Sequence, residues 1–401
     1  MKRQKVFSGS EIKFLAAMGL VMGFRELSLS MLNPFITLFG NTLRGSTTFL
    51  CGLAMGIFGL ANALFQIPYG SLSDRIGRKP VILIGLTQLL VGLLLAGLAQ
   101  NVYLFIFARA LQGSGAVTAI AYSWIGDDIA DSKKSRAMAI AGIIVALGAV
   151  IAFVAGPVLY NITTVNNMFL GCSVMILFSI LFILFFIEDK RDMGNVLAEK
   201  NSGIGIKEIK LLIRNRSIIF LSISGFIFNF AMSEMFFIVP DELKNSIGAK
   251  NMWYVFLPAV LFGIIAMNVA NTISDNGYFT QTAITVFFML ALGFVCFMGK
   301  VLVGIAVGTI LIVTGFMCLT TGIPSVMNKI FHKEKRGTAN GILQTMTFLG
   351  FFAGPTITGF FMQHRYVSLV YIVPILLSVL GAYCIKGVKH AQFSYVASVD
   401  N

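Results

Sequence analysis

The 401-residue sequence is 57% hydrophobic and 12% charged, and it carries a net charge of +13. Its mean hydropathy is +0.86. Soluble domains carry about 25% charged residues, so this composition excludes a soluble globular domain. The positive charge does not indicate nucleic-acid binding, because the short basic loops lack the aromatic residues that such a surface places among its charges.

Long runs without Asp, Glu, Lys or Arg cover most of the chain. A helix needs about 20 apolar residues to cross a hydrocarbon layer of about 30 Å, and lipid offers no hydrogen bonds to an open backbone. The runs therefore predict membrane-spanning helices, two of them in run 137–187, which polar residues interrupt. The runs are 45–73, 80–108, 110–126, 137–187, 217–233, 251–274, 276–299, 301–328, 337–363 and 366–385.

Twelve helices are predicted in chain order, and the longest hydrophilic stretch divides them into six and six. We therefore expect an all-α membrane protein with an N-terminal six-helix bundle at 1–187, a linker at 188–215, and a C-terminal bundle with a short tail at 216–401. The predicted helices lie near 12–40, 48–71, 79–99, 102–125, 135–160, 166–187, 216–239, 251–273, 279–299, 301–325, 338–362 and 367–386.

Lysine and arginine are distributed unequally between the two ends of these helices. With this assignment 23 of them lie at one end, two lie inside helices and only five lie at the other end. The positive-inside rule makes the basic end cytoplasmic. We therefore expect a multi-pass protein of the inner membrane with both termini in the cytoplasm. The five residues are Arg44, Lys244, Lys250, Lys300 and Arg365.

The two halves of the chain resemble one another. A segment starting at Arg136 leads to Gly156-Pro157, and a similar segment starting at Arg336 leads to Gly354-Pro355. Asp74 has a counterpart in Asp275. Six plus six helices with weak internal repetition are typical of transporters, which bind substrate near the membrane midplane between the halves.

The loop after the second predicted helix reads Gly70-Ser71-Leu72-Ser73-Asp74-Arg75-Ile76-Gly77-Arg78-Lys79-Pro80. It resembles the hallmark loop of the major facilitator superfamily at nearly every defining position. The resemblance implies a latch in which Asp74 binds the positive end of helix eleven in the outward-open state. It assigns Gly70, Asp74, Arg75, Gly77, Arg78 and Lys79 to this latch, with Asp127 as the partner of Arg78 and Asp128 or Asp131 as substitutes.

Two further motifs resemble those of drug:proton antiporters in the superfamily. Arg109 in Arg109-Ala110-Leu111-Gln112-Gly113-Ser114-Gly115 is assigned to proton coupling there. A structural salt bridge is the alternative, because an Arg at mid-membrane costs about 2.5–3.5 kcal/mol on insertion scales. Gly148 and Gly156-Pro157 match a motif of exporters, although Val158-Leu159 replaces the small residues that usually follow.

Four ionisable residues lie inside predicted helices, namely Arg25, Glu26, Arg109 and Glu234. A carboxyl group held between a desolvating environment and a nearby Arg can exchange protons near neutral pH. We therefore predict proton coupling by Glu26, Arg109 and Glu234. The alternative for Glu26 is a structural ion pair with Arg25 or Arg109. Arg25 is expected to face Glu234 or a substrate anion.

Polar side chains in the predicted helices are candidates for a substrate cavity between the bundles. No phosphate-binding GxxxxGK[ST] motif is present, so ATP does not drive the protein, and we predict no enzyme, metal or cofactor. The expected partners are a small-molecule substrate, protons and the lipid bilayer, without nucleic acid, and we expect a monomer. The cavity candidates are Arg25, Asn33, Gln66, Tyr122, Asn229 and Gln344.

These features predict a secondary active transporter that exports a small organic molecule in exchange for protons by alternating access. The closest resemblance is to bacterial multidrug efflux proteins. Two alternatives stay open at this stage. A transporter of an anionic metabolite or siderophore would use Arg25 and Arg109 as anion contacts. A non-transporting membrane sensor would not need Glu26 or Glu234.

Overall fold

A computed structural model describes residues 7–187, 212, 214–331 and 333–388, and these residues form helices without a strand. Most of the predicted linker and the end of the C-terminal tail lie outside them. The helices are α1 Gly9–Gly40, α2 Thr48–Ile76, α3 Arg78–Gly97, α4 Val102–Asp128, α5 Asp131–Ile162, α6 Val165–Phe186, α7 Arg216–Ile247, α8 Trp253–Ile273, α9 Phe279–Met298, α10 Leu302–Ile330, α11 Lys333–Gln363 and α12 Val367–Lys386.

The prediction of an all-helical fold with twelve spans is confirmed. Eleven apolar helical segments in the described ranges are long enough to cross a membrane, and one of them, Ala249–Met298, contains both α8 and α9. Gly277 turns the chain between these two helices with a φ of 93°. Only glycine adopts that conformation without strain, so the turn is determined by the sequence.

Side-chain caps explain where several helices begin. Ser8 and Glu11 form a capping box at the start of α1, and Thr47, Asn101 and Thr164 cap α2, α4 and α6. Each cap satisfies backbone N–H groups that have no partner within the helix. These polar residues therefore set the points at which the loops end.

Two helices differ from the prediction. The fourth is interrupted at Gly115 and Ala116, between residues 102–114 and 117–128. Gly115 lies against the backbone of Gly85 in α3, and this close approach accompanies the break. The seventh was predicted to end at 239, before Pro240, but it continues to Ile247. Proline removes one backbone donor, which interrupts the hydrogen-bond ladder without ending the helix here.

The two halves pack by the same pattern. In the first half α1 contacts α5 and α6, α2 contacts α4, and α3 contacts α4 and α6. In the second half α7 contacts α11 and α12, α8 contacts α10, and α9 contacts α10 and α12. Each pair recurs six helices later, which is the arrangement of a pseudo-twofold transporter built from two bundles.

Large apolar side chains on the outer surface are exposed, including Phe107, Phe178, Phe185, Phe262 and Ile265. Soluble monomers rarely expose apolar surface on this scale. Each of these residues lies in a span that is long enough to cross the hydrocarbon layer. The exposed surface is therefore the surface that lipid covers.

Candidate functional site

The two bundles meet mainly through α2 and α11, at the end of the helices that carries few basic residues. We call this end the opposite face, and the end at which α1 and α7 begin the basic face. Phe49 N donates to Gln363 Oε1 at 3.1 Å, and the rings of Phe49 and Phe360 lie 6.3 Å apart. The two halves are therefore in direct contact at the opposite face.

Glycines on α2 permit this contact. A Cβ on Gly52 would meet the carbonyl oxygen of Pro355, and a Cβ on Gly56 would lie 2.5 Å from that of Phe352. Gly59 is packed against the Phe348 carbonyl oxygen in the same way, at 2.6 Å. Small residues at this spacing allow two membrane helices to approach backbone to backbone.

An aromatic cluster joins the two bundles at the opposite face on the other side of the molecule, at the pseudo-symmetric counterpart of the α2–α11 contact. Phe153 of α5 stacks on Phe236 of α7 and on Phe256 of α8, with ring centroids 5.9 and 6.0 Å apart. Phe236 and Phe256 are also 6.0 Å apart. Offset aromatic packing at these distances stabilises the contact beyond the burial of apolar area. The cluster joins α5 to α7 and α8, as α2 is joined to α11.

At the basic face α2 and α11 are separated. A Cβ on Gly70 of α2 would have nothing within 4 Å, and the same is true of Gly337 and Gly341 on α11. The helices thus touch at one end and diverge towards the other. In the described residues the structure is closed at the opposite face, and we infer from the free space at these glycines that it is open at the basic face.

The predicted latch residues lie at this open end. Arg78 connects them, because its Nη1 lies 2.6 Å from Asp74 Oδ1 and its Nε lies 3.0 Å from Asp127 Oδ2. Gly77 has a φ of 99°, which lets α3 start directly after α2. Lys79 Nζ donates to the carbonyl oxygens of Leu184 and Ile187, where it complements the negative end of α6.

Asp74 itself is exposed, with 64% of its side chain accessible, and among the described residues its ion-pair partner is Arg78 rather than α11. Gly70 and Arg75 are on the same open surface, and Arg75 is exposed as well. The second half has a counterpart, where Asp275 binds Lys329 at 2.8 Å. The contact of Asp74 with α11 is not made in this structure and stays a prediction for a state that is closed at the basic face.

We expect Asp74→Asn to disfavour that other state. A carboxylate at a helix N-terminus contributes up to about 2 kcal/mol, which is about a 30-fold change in the ratio of the two states. Spin labels at Ser71 and Gly337 would report the separation of α2 and α11 by pulsed electron resonance. The short-distance population should fall in Asp74→Asn. It should be unchanged in Lys13→Gln, which also removes one charge from the basic face; equal populations in all three proteins would contradict the latch.

The side chain of Arg109, a residue of α4, is enclosed against α2, and 1% of its surface is exposed. Its Nη1 donates to Gln112 Oε1 at 2.7 Å and its Nε to the Ala54 carbonyl oxygen at 3.3 Å. The guanidinium also lies over the ring of Phe58, 5.1 Å from the centroid. None of the described carboxylates pairs with it. Arg109 therefore holds α4 to the part of α2 that contacts α11.

Glu234 is buried inside the second bundle, with 1% of its surface exposed. Its Oε1 accepts a hydrogen bond from Thr358 Oγ1 of α11 at 2.7 Å, and its Oε2 has no partner among the described residues. No basic side chain of the described residues pairs with it. A buried carboxylate without a counter-charge is costly, so this environment favours the protonated acid.

Arg25 and Glu26 lie next to α4 in the first bundle. Arg25 is buried and donates from Nη1 to Thr118 Oγ1 at 2.8 Å, while its Nε has no partner among the described residues. Glu26 is half-buried and accepts from Ser30 Oγ at 2.7 Å. Tyr122 lies one helical turn after Thr118 on α4. The structure thus brings Arg25 to the face of α4 that carries Thr118 and Tyr122, whereas Glu234 lies in the other bundle.

The other cavity candidates are dispersed. Asn33 and Gln66 are half-buried, and Gln344 is exposed on α11. Asn229 is buried, and its Nδ2 donates to the Gly225 carbonyl oxygen at 3.5 Å, within its own helix α7. These four side chains make no hydrogen bond with one another among the described residues. Their role in substrate binding stays a prediction.

The glycines of the exporter motif pack α5 against α1. A Cβ on Gly148 would lie 2.7 Å from the Gly23 carbonyl oxygen, and one on Gly156 would lie 2.9 Å from that of Met31. Pro157 follows inside the helix. Gly354 packs on the Phe230 carbonyl oxygen at 2.6 Å in the symmetry-related pair. The motif therefore brings two helices of one bundle together, and its counterpart does the same in the other.

Thr358, Thr118 and Gln112 are the site residues that the sequence reasoning did not identify. They bind Glu234, Arg25 and Arg109 respectively. For Gln112 a signal existed, since it lies one helical turn from Arg109. For the two threonines the sequence carries none, because each lies on a different helix from its partner.

Comparison with known proteins agrees with this architecture. A profile of the Major Facilitator Superfamily matches residues 18–355 and 309–390. The chain belongs to this superfamily. It is therefore a secondary transporter of a membrane, built from spanning helices and acting on a small molecule.

Two relatives and one solved structure of the superfamily are similar to this chain. The inner membrane transport protein YajR of Escherichia coli is 27% identical over 350 residues, which cover 85% of this chain and 76% of that protein. Multidrug resistance protein 3 of Bacillus subtilis is 38% identical over 98 residues, which cover 24% of this chain and 18% of that protein. A bacterial homologue of the human lysosomal transporter Spinster, solved inward-facing and unoccupied, superposes with a TM-score of 0.69 at 16% identity, covering 98% of this chain and 95% of that one.

Proposed function

We propose that this transporter exports small organic molecules in exchange for protons by alternating access, with Glu234 as the residue that carries the proton. The observation that carries the proposal is the environment of Glu234, which is fully buried, bound by Thr358 and free of a counter-charge among the described residues. In this state the acid holds a proton. In a state in which water or a positive charge reaches the Glu234 carboxyl group, the proton would leave.

The geometry supports alternating access. The bundles touch at the opposite face and diverge at the basic face, and packed helix interfaces of this kind are bistable. We propose that the basic face is cytoplasmic because it holds most of the lysines and arginines. The structure would then be an inward-open state, in which both termini lie in the cytoplasm.

Export of drug-like molecules is supported by two independent features. The Gly148 and Gly156-Pro157 motif forms a close α1–α5 contact. A segment of the chain is similar to a protein named for multidrug resistance. Glu26 and Arg109 complete the proposed coupling set: Glu26 is half-buried beside Arg25, and Arg109 fixes the α2 segment at the gate.

An assay that does not require the substrate to be known beforehand tests this function. Inside-out vesicles from an expression host are energised by respiration, and the internal acidification is followed by quenching of an acridine dye. Each compound of a toxic panel is then added, because an exchanged compound dissipates the proton gradient and restores fluorescence. We expect recovery with a subset of compounds and none in vesicles without the protein. Uptake of those compounds that persists after nigericin collapses the gradient would refute proton coupling.

A second candidate function is favoured by Arg25. Its guanidinium is buried and bound to Thr118, and among the described residues no carboxylate accepts from it and its Nε has no partner, so that an anion could take this donor. Guanidinium groups bind carboxylates and phosphates strongly. The substrate would then be an anionic metabolite or siderophore, with Arg25 as its contact.

Arg25→Gln separates the two candidates. If the substrate is anionic, loss of a charge-assisted hydrogen bond worth about 1.5–3 kcal/mol should weaken binding about 10- to 150-fold. The same vesicle assay, run with organic anions and with cationic dyes, measures the half-saturating concentration of each. Arg25→Lys is the control that retains the charge. An unchanged half-saturating concentration for every anion in Arg25→Gln would exclude this candidate.

A further inference from the structure

A face of α7 carries two carboxylates that are separated by two helical turns. Glu234, Ile238 and Glu242 are spaced four residues apart, so they lie along one stripe of the helix. Eight residues of rise place the two Glu backbones about 12 Å apart. Glu234 is enclosed, whereas 31% of the Glu242 side chain is exposed, near the opposite face. The stripe therefore joins a buried acid to a solvated one.

Tyr371 of α12 packs against this stripe at Ile238, one helical turn from Glu234, and at Glu242. Its side chain is buried, with 6% of its surface exposed. It shares the lining of a cavity with Ile238 and Glu242. A phenol can donate and accept a hydrogen bond at the same time, which neither neighbouring apolar residue can do.

The cavity is about 10 Å³, the volume that one water needs, and a water there requires two to four polar partners. Three polar side chains line it, namely Glu242, Tyr371 and Lys300. Lys300 Nζ lies 3.9 Å from Glu242 Oε1. The remaining lining is apolar, formed by Ile238, Val239, Phe297 and Ile305.

We propose that Glu242, a water in this cavity and Tyr371 form the path by which protons pass between the opposite face and Glu234. This rests on the proposed function, in which Glu234 carries the proton. In the inward direction the Tyr371 hydroxyl, once it reaches Oε2 of Glu234, which has no partner among the described residues, gives its proton to that carboxylate and takes a proton from the water. The water takes a proton from Glu242, which is reprotonated by solvent. One O–H bond forms for each that breaks, and no other reactant is required.

Other charged groups near the path shape its outer end. Lys300 faces Glu242 from the α9–α10 loop, and Asp241 and Lys244 lie beside Glu242 on α7. Around Glu234 the described contact is Thr358 of α11. Glu242 is therefore near positive and negative side chains, whereas the described partner of Glu234 is the hydroxyl group of Thr358. Protons can accordingly be exchanged with water at Glu242 and stored at Glu234.

Infrared spectroscopy in D₂O tests the path without a substrate. The carboxylic acid C=O band of Glu234 is assigned by its loss in Glu234→Gln, and its shift after transfer of reconstituted protein into D₂O gives the rate of proton exchange. We expect Tyr371→Phe and Glu242→Gln each to slow this exchange at least tenfold. Tyr383→Phe, on an exposed tyrosine of the same helix, should exchange at the wild-type rate.

The outcomes separate the path from the function on which it rests. If the wild-type protein has no acid band that Glu234→Gln removes, the proposed proton site is wrong. If the band is present and either Tyr371→Phe or Glu242→Gln exchanges at the wild-type rate, the path is wrong and the proton site stands. Thermal unfolding of each variant within a few degrees of wild type excludes a general loosening of the bundle.

Discussion

Glu234→Gln is expected to abolish concentrative export while leaving exchange of substrate across the membrane intact. Glutamine has the shape of the protonated acid and keeps an oxygen to accept the Thr358 hydrogen bond. It cannot release a proton, however, so the proton gradient no longer drives the cycle. The variant should still equilibrate a substrate between the two sides.

The measurement uses a compound identified in the vesicle screen. We expect its proton-driven accumulation to fall to the level of de-energised vesicles, and its counterflow exchange to stay within about twofold of wild type. Thr358→Val is the matched control, because it removes the hydrogen bond to Glu234 and leaves the carboxyl group. It should retain proton-driven transport. Concentrative export by Glu234→Gln at the wild-type rate would show that Glu234 is only a structural residue.

Gly56→Leu is expected to stop transport by preventing closure of the opposite face. A side chain at Gly56 meets the Phe352 carbonyl oxygen at 2.5 Å and Thr356 Oγ1 at 2.7 Å, so α2 and α11 cannot approach. Overpacking of this kind costs about 1–3 kcal/mol. Because it acts on one state only, it should shift the ratio of states by about 5- to 150-fold towards the form that is open at the opposite face.

Thiol labelling measures this shift. In a background without the five native cysteines, Phe49→Cys lies at the contact with Phe360 and should react slowly with a membrane-impermeant maleimide. Adding Gly56→Leu should accelerate labelling from the opposite face by at least fivefold. Gly171→Leu, on an exposed position of α6 where a Cβ would have nothing within 4 Å, is the control and should not change it. Equal labelling rates in Gly56→Leu and Gly171→Leu would mean that the α2–α11 contact is not a gate.

Much of the fold could be predicted from the sequence because it follows from local chemistry. The charge-free runs fixed the spans, since lipid accepts little else than an apolar helix of about 20 residues. The loop from Gly70 to Pro80 predicted the superfamily, because it resembles the hallmark loop of that superfamily at nearly every defining position. The break inside α4 and the end of α7 were not predicted. They depend on packing against α3 and on a proline that a helix can tolerate.

The candidate site was predictable as a set of residues and not as an arrangement. Ionisable residues are rare inside apolar spans and are therefore easy to recognise. Arg25, Glu26, Arg109 and Glu234 were identified by their position in predicted spans. The structure decided which of them meet. Arg109 binds α2 backbone and Gln112 instead of an acid, and Glu234 binds Thr358 of another helix. Gln112 is one helical turn from Arg109, but Ala54 and Thr358 lie more than fifty residues from their partners in the chain, where spacing carries no signal.

The sequence by itself thus determined that this protein is a helical transporter of the major facilitator superfamily, and which few ionisable groups it places in the membrane. Only the tertiary structure decided that α2 and α11 touch at one end and diverge at the other, and that Tyr371 and Glu242 line one cavity. The physical reason is that spans are set by transfer of each segment into lipid, whereas gates and proton paths are set by contacts between helices. Those contacts depend on how far apart backbones lie, which no single segment encodes.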